Sequence, residues 1–430
     1  MPIHLDTRAP DFAERFRAFL DAKRETAVDV EATVRAIIAD VVARGDLALV
    51  ELSRTFDRVD LAATGLRVTA AEIEAAHAAC NRRALEALSL ARNRVEAYHR
   101  RQLPKDERFT DALGVELGHR WTAVEAVGLY VPGGTAAYPS SVLMNAVPAK
   151  VAGVPRLVMA VPAPDGKLSP PVLAAARLAG IDEVYRVGGA QAVAALAYGT
   201  ATIAPVAKIV GPGNAYVAMA KRLVFGKVGI DMIAGPSEVL ILADQSGHPD
   251  WIAADLLAQA EHDASAQSIL ITDNEGLADA VETALAAQLA TLPRAAVAGA
   301  SWRDFGAIML VGNMDDAVAL VDAIAPEHLE IHTHDPERLA GRIRNAGAIF
   351  LGSHTPEAIG DYVGGSNHVL PTARSARFSS GLGVLDFMKR TSILKCGPDQ
   401  LRALGPAAIA LGEAEGLDAH ARSVAKRFNQ

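Results

Sequence analysis

The alternation of short apolar segments with alanine-rich helical ones, from residue 120 onward, constrains the fold more than any other feature of this sequence. A repeated order of strand, turn and helix predicts parallel sheets that are covered by helices on both faces. Two such series follow one another along the chain. We expect the strands of the first at 127–131, 156–161, 183–187, 207–210 and 230–233, and those of the second at 238–242, 267–272, 307–311 and 348–351.

The first 105 residues predict helices. Apolar residues recur at helical spacing over 28–44. A second helical run over 70–99 follows Thr69, a candidate N-cap. Neither segment contains a pattern that indicates chemistry, so we expect both to be structural.

The end of the chain predicts a tail that needs a partner. It opens after residue 372 with arginine, serine and glycine residues that are typical of a linker. A short helical segment over 398–412 and a last helix that carries Glu415 and His420 follow. So small a segment cannot stabilise itself by burial, and we expect it to dock onto another surface.

Length and charge limit the classes of protein. A chain of 430 residues predicts two to three domains, and 50 acidic against 42 basic residues give a net charge of -8. That charge argues against nucleic acid or an anionic membrane as a partner. No apolar run approaches the roughly 18 residues of a membrane span, and residues 1–24 lack the apolar core of a signal peptide. With only two distant cysteines, Cys80 and Cys396, we expect a cytoplasmic protein with reduced thiols.

Three glycine-rich turns each follow a predicted strand and precede a helix. They are Tyr-Val-Pro-Gly-Gly-Thr from Tyr130, Val-Gly-Gly-Ala-Gln-Ala from Val187 and Val-Gly-Pro-Gly-Asn-Ala-Tyr from Val210. Such turns direct free backbone N–H groups and a helix N-terminus toward an anion such as a pyrophosphate. One turn alone would be ordinary punctuation between strand and helix. Three along one sheet favour a dinucleotide cleft, although none is a G-x-G-x-x-G motif.

An adjacent acid and imidazole, Glu327 and His328, end an apolar segment in Ala-Pro-Glu-His-Leu-Glu. Neither group is usually buried without a partner, and together they can act as bases toward substrate and water. Taken alone, the pair is more typical of a salt-bridged loop, since structural ion pairs are common.

Three further side chains suggest a metal site. Gln259 and His262 lie three residues apart on a predicted helix over 251–262, and therefore on one face of it. Asp361 follows the last predicted strand in Gly-Asp-Tyr-Val-Gly-Gly. An amide oxygen, an imidazole and a carboxylate without a thiolate suit a borderline metal in a site that stays open to substrate. Each residue alone is more typical of a polar surface.

Together these motifs resemble the histidinol dehydrogenase family, and the resemblance covers nearly the whole chain. The matching segments stand in the family's order at 130–134, 187–192, 210–216, 235–238, 259–263, 326–330 and 360–372. The resemblance implies two incomplete Rossmann-like α/β domains, a helical N-terminal arm and a small helical tail domain. It places the arm at 1–22, the metal and catalytic domain at 23–128 with 237–372, the NAD-binding domain at 129–236 and the tail at 373–430.

The resemblance also implies a role for individual residues. Zinc would be bound by Gln259, His262, Asp361 and, from the tail of the other subunit of a homodimer, His420. NAD would contact Tyr130, Gln191 and Asn214. L-histidinol would be bound by Ser237, His328, His368 and Glu415. Its imidazole and amine would also approach the metal, so the substrate would contact Gln259, His262, Asp361 and His420 as well.

The implied reaction is the oxidation of L-histidinol to L-histidine through L-histidinal with two NAD, the last steps of histidine biosynthesis. An alcohol loses a proton as its hydride leaves, which a neutral imidazole at His328 can accept. The aldehyde must then be hydrated, and Glu327 suits the activation of water. No cysteine is needed.

Three alternatives remain open from the sequence. In a zinc-dependent hydrolase, Glu327 would activate metal-bound water and the glycine turns would be structural. A related zinc and NAD dehydrogenase could act on another small alcohol. A non-catalytic α/β binding protein would have no need of an adjacent acid and base.

Overall fold

The computed structural model describes residues 2–22, 30–133, 138–181, 183–233 and 235–429, and within them the chain forms two parallel sheets and one small antiparallel sheet. The larger parallel sheet has six strands in the order β1-β11-β10-β9-β12-β13. Their bounds are β1 (Ile3–Asp6), β9 (Glu238–Ala243), β10 (Gln267–Thr272), β11 (Ala307–Leu310), β12 (His328–His332) and β13 (Ala348–Leu351).

The smaller parallel sheet has five strands in the order β6-β5-β4-β7-β8. Their bounds are β4 (Ala126–Tyr130), β5 (Arg156–Ala160), β6 (Glu183–Tyr185), β7 (Lys208–Val210) and β8 (Gly229–Ile230). The antiparallel sheet has the order β14-β3-β2, with β2 (Glu107–Thr110), β3 (Glu116–Ala123) and β14 (Met388–Lys395).

Helices cover both faces of each parallel sheet, as the strand and helix alternation predicts. Helices α2, α3, α9 and α10 pack on one face of the smaller sheet and α5 to α8 on the other, whereas α1, α14 and α15 face α11 to α13 across the larger sheet. The bounds are α1 (Phe12–Asp21), α2 (Glu31–Arg44), α3 (Asp46–Phe56), α4 (Leu61–Thr64), α5 (Ala70–Ala79), α6 (Arg82–Arg100), α7 (Pro139–Val151), α8 (Pro170–Leu178), α9 (Gly189–Tyr198), α10 (Ala215–Val224), α11 (Pro249–Ala260), α12 (Glu275–Leu289), α13 (Ala295–Phe305), α14 (Met314–Ile324), α15 (Pro336–Ala340), α16 (Glu357–Ile359), α17 (Pro398–Ala414) and α18 (Asp418–Ala425).

The N-terminal segment is not wholly helical, which corrects the prediction of a helical arm. Strand β1 pairs in parallel with β11 at the edge of the larger sheet, from Ile3 opposite Ala307 to Asp6 opposite Leu310. Four residues are too few to show a period. The predicted helix over 28–44 starts at Glu31, and residues 23–29, which include the first predicted domain boundary, lie outside the described part of the chain.

The predicted helix over 70–99 is two helices. Thr69 caps α5 as expected, in a capping box with Glu72. Cys80 then adopts an extended backbone, and the side chain of Asn81 accepts a hydrogen bond from the N–H of Ala84 to begin α6. A cap residue inside the helical run was the sequence signal for this break.

Strand β12 lies in the centre of the larger sheet, between β9 and β13, and the prediction omitted it. Its sequence, His-Leu-Glu-Ile-His, alternates apolar and titratable residues, yet all five are buried. Strand β12 therefore contains no continuous apolar run from which it could be predicted. The antiparallel sheet was also missed, because its strand β2 is fully exposed and shows no alternation of apolar and polar residues.

The predicted domain boundaries stay predictions. Helices α2, α3, α5 and α6 bury their apolar side chains in the cores of the smaller sheet, whereas β1 and α1 belong to the core of the larger one. The tail is fastened to the body of its own chain by β14, which pairs with β3 from Met388 opposite Ala123 to Lys395 opposite Glu116.

Candidate functional site

Glu327 and His328 lie at the amino end of β12, deep in the larger sheet. Helix α14 ends at Ile324, and Ala325 takes a left-handed conformation with a φ of 50° that turns the chain into the strand. His328 is then the first residue of β12, opposite Val239 of β9 and Ala348 of β13. His328 therefore belongs to a central strand and Glu327 to the bend before it, and their side chains pair, with Nδ1 of His328 3.7 Å from Oε2 of Glu327.

The carboxylate of Glu327 is buried, with 5% of the residue exposed. Its Oε2 accepts a hydrogen bond from the backbone N–H of Glu238 at 2.9 Å. Burial raises the pKa of Glu327 to about 7. A carboxyl group with that pKa can exchange a proton with water near neutral pH, as a general base must.

The imidazole of His328 is fixed by a hydrogen bond at one nitrogen, and its other nitrogen faces a carboxylate. Nδ1 lies 3.0 Å from the carbonyl oxygen of Glu238, which can only accept, so Nδ1 carries the proton and donates. Nε2 lies 3.5 Å from Oδ1 of Asp361, and the ring stacks on Phe350 with centroids 6.0 Å apart. Nε2 is thus the nitrogen that faces the groups predicted to bind metal and substrate.

The charges around His328 differ from the expectation of an imidazole with its ordinary pKa. Burial alone lowers the pKa of His328, but the carboxylates of Glu357, Glu327 and Asp361 raise it well above the usual range. An imidazole must be neutral before it can accept a proton. A divalent cation next to Asp361 would oppose these carboxylates and favour the neutral ring.

A candidate metal centre lies beside this imidazole. His262, Glu357 and Asp361 each place one ligand atom within 4.8 Å of the other two. Asp361 belongs to a five-residue π-helical turn, Gly360–Gly364, that follows α16. His262 lies just beyond the end of α11 at Ala260, so it does not share a helix face with Gln259 as predicted.

Gln259 and Glu357 form the buried floor of this centre. In the orientation that satisfies both amide atoms, Gln259 donates to the carbonyl oxygen of Glu238 and to Oε1 of Glu357, both at 3.3 Å. Oε2 of Glu357 is buried and has no hydrogen-bond partner among the described residues. Nitrogen and oxygen donors with an unsatisfied carboxylate oxygen fit a divalent cation of the zinc type.

Glu357 is the site residue that the sequence analysis did not identify. It begins α16, is 4% exposed, and its Oε1 lies 3.9 Å from Nδ1 of His328. Burial raises its pKa well above the usual value. The available signal was its spacing of four residues from Asp361, which places two carboxylates on one side of a helical segment.

A second buried cluster supports α16 from behind. Oε1 of Glu330 accepts a hydrogen bond from the backbone N–H of Glu357 at 2.6 Å, and its Oε2 lies 3.0 Å from Nε2 of His332. Asp255 of α11 completes the group, with Oδ2 4.0 Å from the same nitrogen. Burial, and then the charge of Glu330, raise the pKa of Asp255 to about 8.

Two predicted substrate residues lie around the same centre. His368 donates from Nδ1 to the carbonyl oxygen of Asp361 at 3.0 Å, and its Nε2 lies 3.3 Å from the hydroxyl of Ser141 on α7. It therefore links the site to the layer that covers the smaller sheet. Ser237 directly precedes β9, next to Glu238, and its carbonyl oxygen accepts a hydrogen bond from the N–H of Gln267.

The tail residues lie outside the cluster formed in their own chain. His420 is exposed on α18 and is not among the ligand atoms that the described residues bring together around Asp361. Glu415 is exposed at the end of α17, not on the last helix as predicted. Leu394, Leu411 and Leu417 of the tail are 67%, 64% and 43% exposed, which is consistent with a surface that docks elsewhere.

The three glycine turns meet at the carboxyl ends of the smaller sheet. Gly133 and Gly188 both pack against Pro162, and a side chain at either glycine would collide with that ring. The backbone N–H of Gly189 donates to the hydroxyl of Tyr130 at 3.1 Å. Gly134 and Thr135 of the first turn lie outside the described residues.

The predicted NAD contacts occupy these turns. Tyr130 is the last residue of β4 and Gln191 lies in the first turn of α9, and both are buried. Burial raises the pKa of Tyr130 to about 12, so the phenol stays protonated. Asn214 is the exposed N-cap of α10, and its Oδ1 accepts from the N–H groups of Tyr216 and Val217.

Several backbone N–H groups that the sequence predicted to be free for an anion are already bonded within the protein. Gly189 donates to Tyr130, Gly211 donates to Oδ2 of Asp231 at 2.7 Å, and Asn214 takes two N–H groups of α10. The turns are therefore shaped by the protein's own acceptors. The features of these turns that are still available to recognise a ligand are the amide nitrogen of Asn214 and the shape of the cleft.

The larger sheet does not follow the rule that parallel sheets bind ligands at the carboxyl ends of their strands. A cavity of about 630 Å³ does lie there, lined by residues that include Asp244, Asp273, Asn313 and His334. The acid and imidazole lie at the opposite, amino end of β12. The rule locates the glycine turns correctly and the acid–base pair incorrectly.

Among the described residues, no helix is long and apolar enough to cross a membrane.

Comparison with known proteins gives a consistent result. The family model described as histidinol dehydrogenase matches residues 20–428. The histidinol dehydrogenase of Bradyrhizobium diazoefficiens is 76% identical over 429 residues, which cover 100% of both chains, and that of Rhizobium meliloti is 69% identical over 429 residues, which cover 100% of this chain and 99% of its own. The crystal structure of histidinol dehydrogenase from Elizabethkingia anophelis superimposes with a TM-score of 0.95 at 33% identity and covers 100% of this chain and 98% of that one.

Proposed function

The chain belongs to the histidinol dehydrogenase family of histidine biosynthesis, and we propose that it performs the complete four-electron oxidation of L-histidinol to L-histidine, through L-histidinal and with two NAD. The observation that carries this proposal is the buried pair of Glu327 and His328, with Nε2 of the imidazole 3.5 Å from Asp361. One acid and one imidazole on the same strand end offer a separate base for each half-reaction.

The residues proposed to bind zinc are Gln259, His262 and Asp361, with His420 of the partner subunit as the fourth ligand. The donor set, the 4.8 Å cluster and the unsatisfied oxygen of Glu357 support a cation at this position. When bound, zinc would orient the substrate and polarise its oxygen without changing oxidation state. Glu357 would then balance charge beside Gln259.

The proposed NAD contacts are Tyr130, Gln191 and Asn214, in the cleft where the glycine turns meet. NAD supplies the hydride acceptor in each half-reaction. The proposed substrate contacts are Ser237, His328, His368 and Glu415, of which the last comes from the tail of the partner subunit. His368 lies between the metal centre and helix α7, a position that suits a group bridging substrate and cofactor layers.

In the first half-reaction, the hydroxyl of L-histidinol gives its proton to Nε2 of His328 as the hydride leaves its carbon. The bond from Nδ1 to the carbonyl of Glu238 fixes the tautomer, so Nε2 is the accepting atom. In the second, Glu327 takes a proton from the water that adds to L-histidinal. The hydrate anion formed in this way then loses a second hydride to give the carboxylic acid, and loss of the acid's proton leaves the carboxylate of L-histidine.

A homodimer is proposed because the tail carries exposed apolar residues and two predicted site residues that its own chain does not bring to the centre. A cytoplasmic location is proposed from the family's place in amino-acid biosynthesis and from the reduced state expected of Cys80 and Cys396.

The test is the yield of NADH per L-histidinol consumed. We expect two NADH for each L-histidinol consumed, with L-histidine as the product. Free L-histidinal should amount to less than the L-histidinol consumed. A yield of one would mean that the second half-reaction is missing, and no NADH at all would favour the zinc-dependent hydrolase. A larger kcat/KM with another amino alcohol would favour the related dehydrogenase.

A further inference from the structure

A buried ion pair lies beneath the third glycine turn. Lys221 of α10 is 2% exposed, and the side chain of Asp231, just past β8, is 1% exposed. The ammonium and the carboxylate contact each other directly. Burying two charges is costly unless both are paired and hydrogen-bonded, so a fully buried pair needs a reason.

Both groups also bond the main chain of one glycine. Nζ of Lys221 donates to the carbonyl oxygen of Gly211 at 2.9 Å, and Oδ2 of Asp231 accepts from the N–H of the same residue at 2.7 Å. The pair therefore satisfies the donor and the acceptor of Gly211 together. Main-chain groups at this point cannot rotate without leaving a buried charge unsatisfied.

Gly211 has a conformation that only glycine adopts readily. Its φ is 113°, and a side chain there would overlap the carbonyl oxygen of Tyr130. Three residues later Asn214 caps α10. The turn from Gly211 to Asn214 is thus fixed at its start by the ion pair and at its end by the cap.

We infer that Lys221 and Asp231 are positioning residues for the cofactor: their buried ion pair sets the turn that presents Asn214 to NAD. The inference rests on the proposed binding of NAD at this turn and adds the residues that hold it in place. Neither side chain needs to touch the cofactor, because each acts through Gly211.

The informative variants remove both charges at once, since a single substitution leaves a buried charge unpaired and destabilises the fold. Lys221→Met with Asp231→Leu removes both contacts to Gly211. Lys221→Met with Asp231→Asn keeps an acceptor for the N–H of Gly211 and removes only the contact to its carbonyl. The matched control is Arg156→Met with Glu183→Leu, an ion pair at the amino ends of β5 and β6 in the same sheet.

The measurements are the Kd for NAD by calorimetry, the KM for NAD, kcat at saturating NAD and the melting temperature. We expect the Met/Leu variant to weaken NAD binding about tenfold or more, because small displacements of a positioning group have large effects on a bound ligand. The Met/Asn variant should fall between it and wild type, and the control should bind NAD normally. The KM for L-histidinol should stay unchanged in all of them.

A folded Met/Leu variant that binds NAD as tightly as wild type overturns the inference. If that variant does not fold, the Met/Asn variant decides, and a wild-type Kd there overturns the inference equally. If the wild-type protein itself binds no NAD, the proposed function fails first, which separates the two outcomes.

Discussion

Beneath the third glycine turn of the smaller sheet the buried charges are balanced, whereas the buried charges at the amino end of the larger sheet are not. Lys221 and Asp231 neutralise each other beneath the glycine turns. Around His328, the carboxylates of Glu327, Glu357 and Asp361 all contribute to its raised pKa. Buried negative charge in excess is unfavourable unless a cation or protons offset it.

This difference suggests that the two sheets have different functions. The cleft of the smaller sheet is formed by main-chain atoms whose N–H groups donate to acceptors of the protein itself. The smaller sheet is therefore suited to positioning a ligand. The larger sheet concentrates side chains of unusual pKa, so it is suited to proton transfer and cation binding. If the division is real, the two functions should respond separately to substitutions and to metal removal.

Removing metal should have the largest effect. We expect strong chelation to abolish oxidation of L-histidinol. His262 and Asp361 offer a divalent cation only nitrogen and oxygen atoms, and a strong chelator competes with such ligands for the cation. The Kd for NAD, measured by calorimetry, and the melting temperature of the protein should change much less. Zinc added back should restore activity. Full activity after chelation, with metal content verified, would contradict the site.

The catalytic pair should come next. His328→Asn should lower kcat for L-histidinol and for added L-histidinal by roughly 10²–10⁴-fold, since a positioned base contributes about that much. Glu327→Gln should impair L-histidinal oxidation more than hydride transfer from L-histidinol. Single-turnover NADH formation separates the steps. Equal losses in both steps for Glu327→Gln would argue against distinct roles, and a changed Kd for NAD would argue against the division between sheets.

Subunit mixing tests whether the larger-sheet site is incomplete within one chain. His420→Ala and Asp361→Ala are each expected to be inactive. If His420 serves the partner subunit, refolding the two together gives mixed dimers with one intact site, and random pairing returns roughly a quarter of wild-type activity.

A matched control uses two residues proposed to serve the same site from one chain. A mixture of Asp361→Ala and His328→Asn should stay as inactive as its parents, because each site of a mixed dimer lacks one of the two residues. Activity in this control, or none in the His420 mixture, would place the tail with its own chain.

The smallest effect concerns stability and pH. Asp255 keeps its proton to about pH 8 in the folded protein but loses it near pH 4 when unfolded. The folded state therefore binds more protons between these values, and the free energy of unfolding should fall as pH rises, by at most about 1.4 kcal/mol per pH unit. Asp255→Asn should flatten that fall between pH 6 and 8 in urea titrations, whereas Asp250→Asn, an exposed change on the same helix, should not. If the free energy of unfolding falls with pH as steeply in Asp255→Asn as in the wild type, another group causes the pH dependence.

The sequence by itself determined the parts that depend on local pattern. Apolar segments at regular intervals predicted the first four strands of the smaller sheet and most strands of the larger one, and Thr69 predicted a helix start. The fifth strand of the smaller sheet, expected at 230–233, is Gly229–Ile230. The family motifs directed attention to Glu327, His328 and Asp361, which the fold brings to one buried place. These signals are readable because each depends on residues near one another in the chain.

Tertiary structure alone decided what depends on distant partners. Strand β12 is buried although its apolar residues alternate with titratable ones, because β9 and β13 pair with its two edges and helices cover both faces of the sheet. Glu357 joins the centre because the chain turns back after β13, and its spacing of four residues from Asp361 does not by itself predict that return. The pKa of His328 is likewise set by carboxylates from separate segments, and the N–H of Gly211 is taken by Asp231, twenty residues further along the chain. Burial and through-space charge are properties of the folded arrangement, so the sequence specifies them only through the fold.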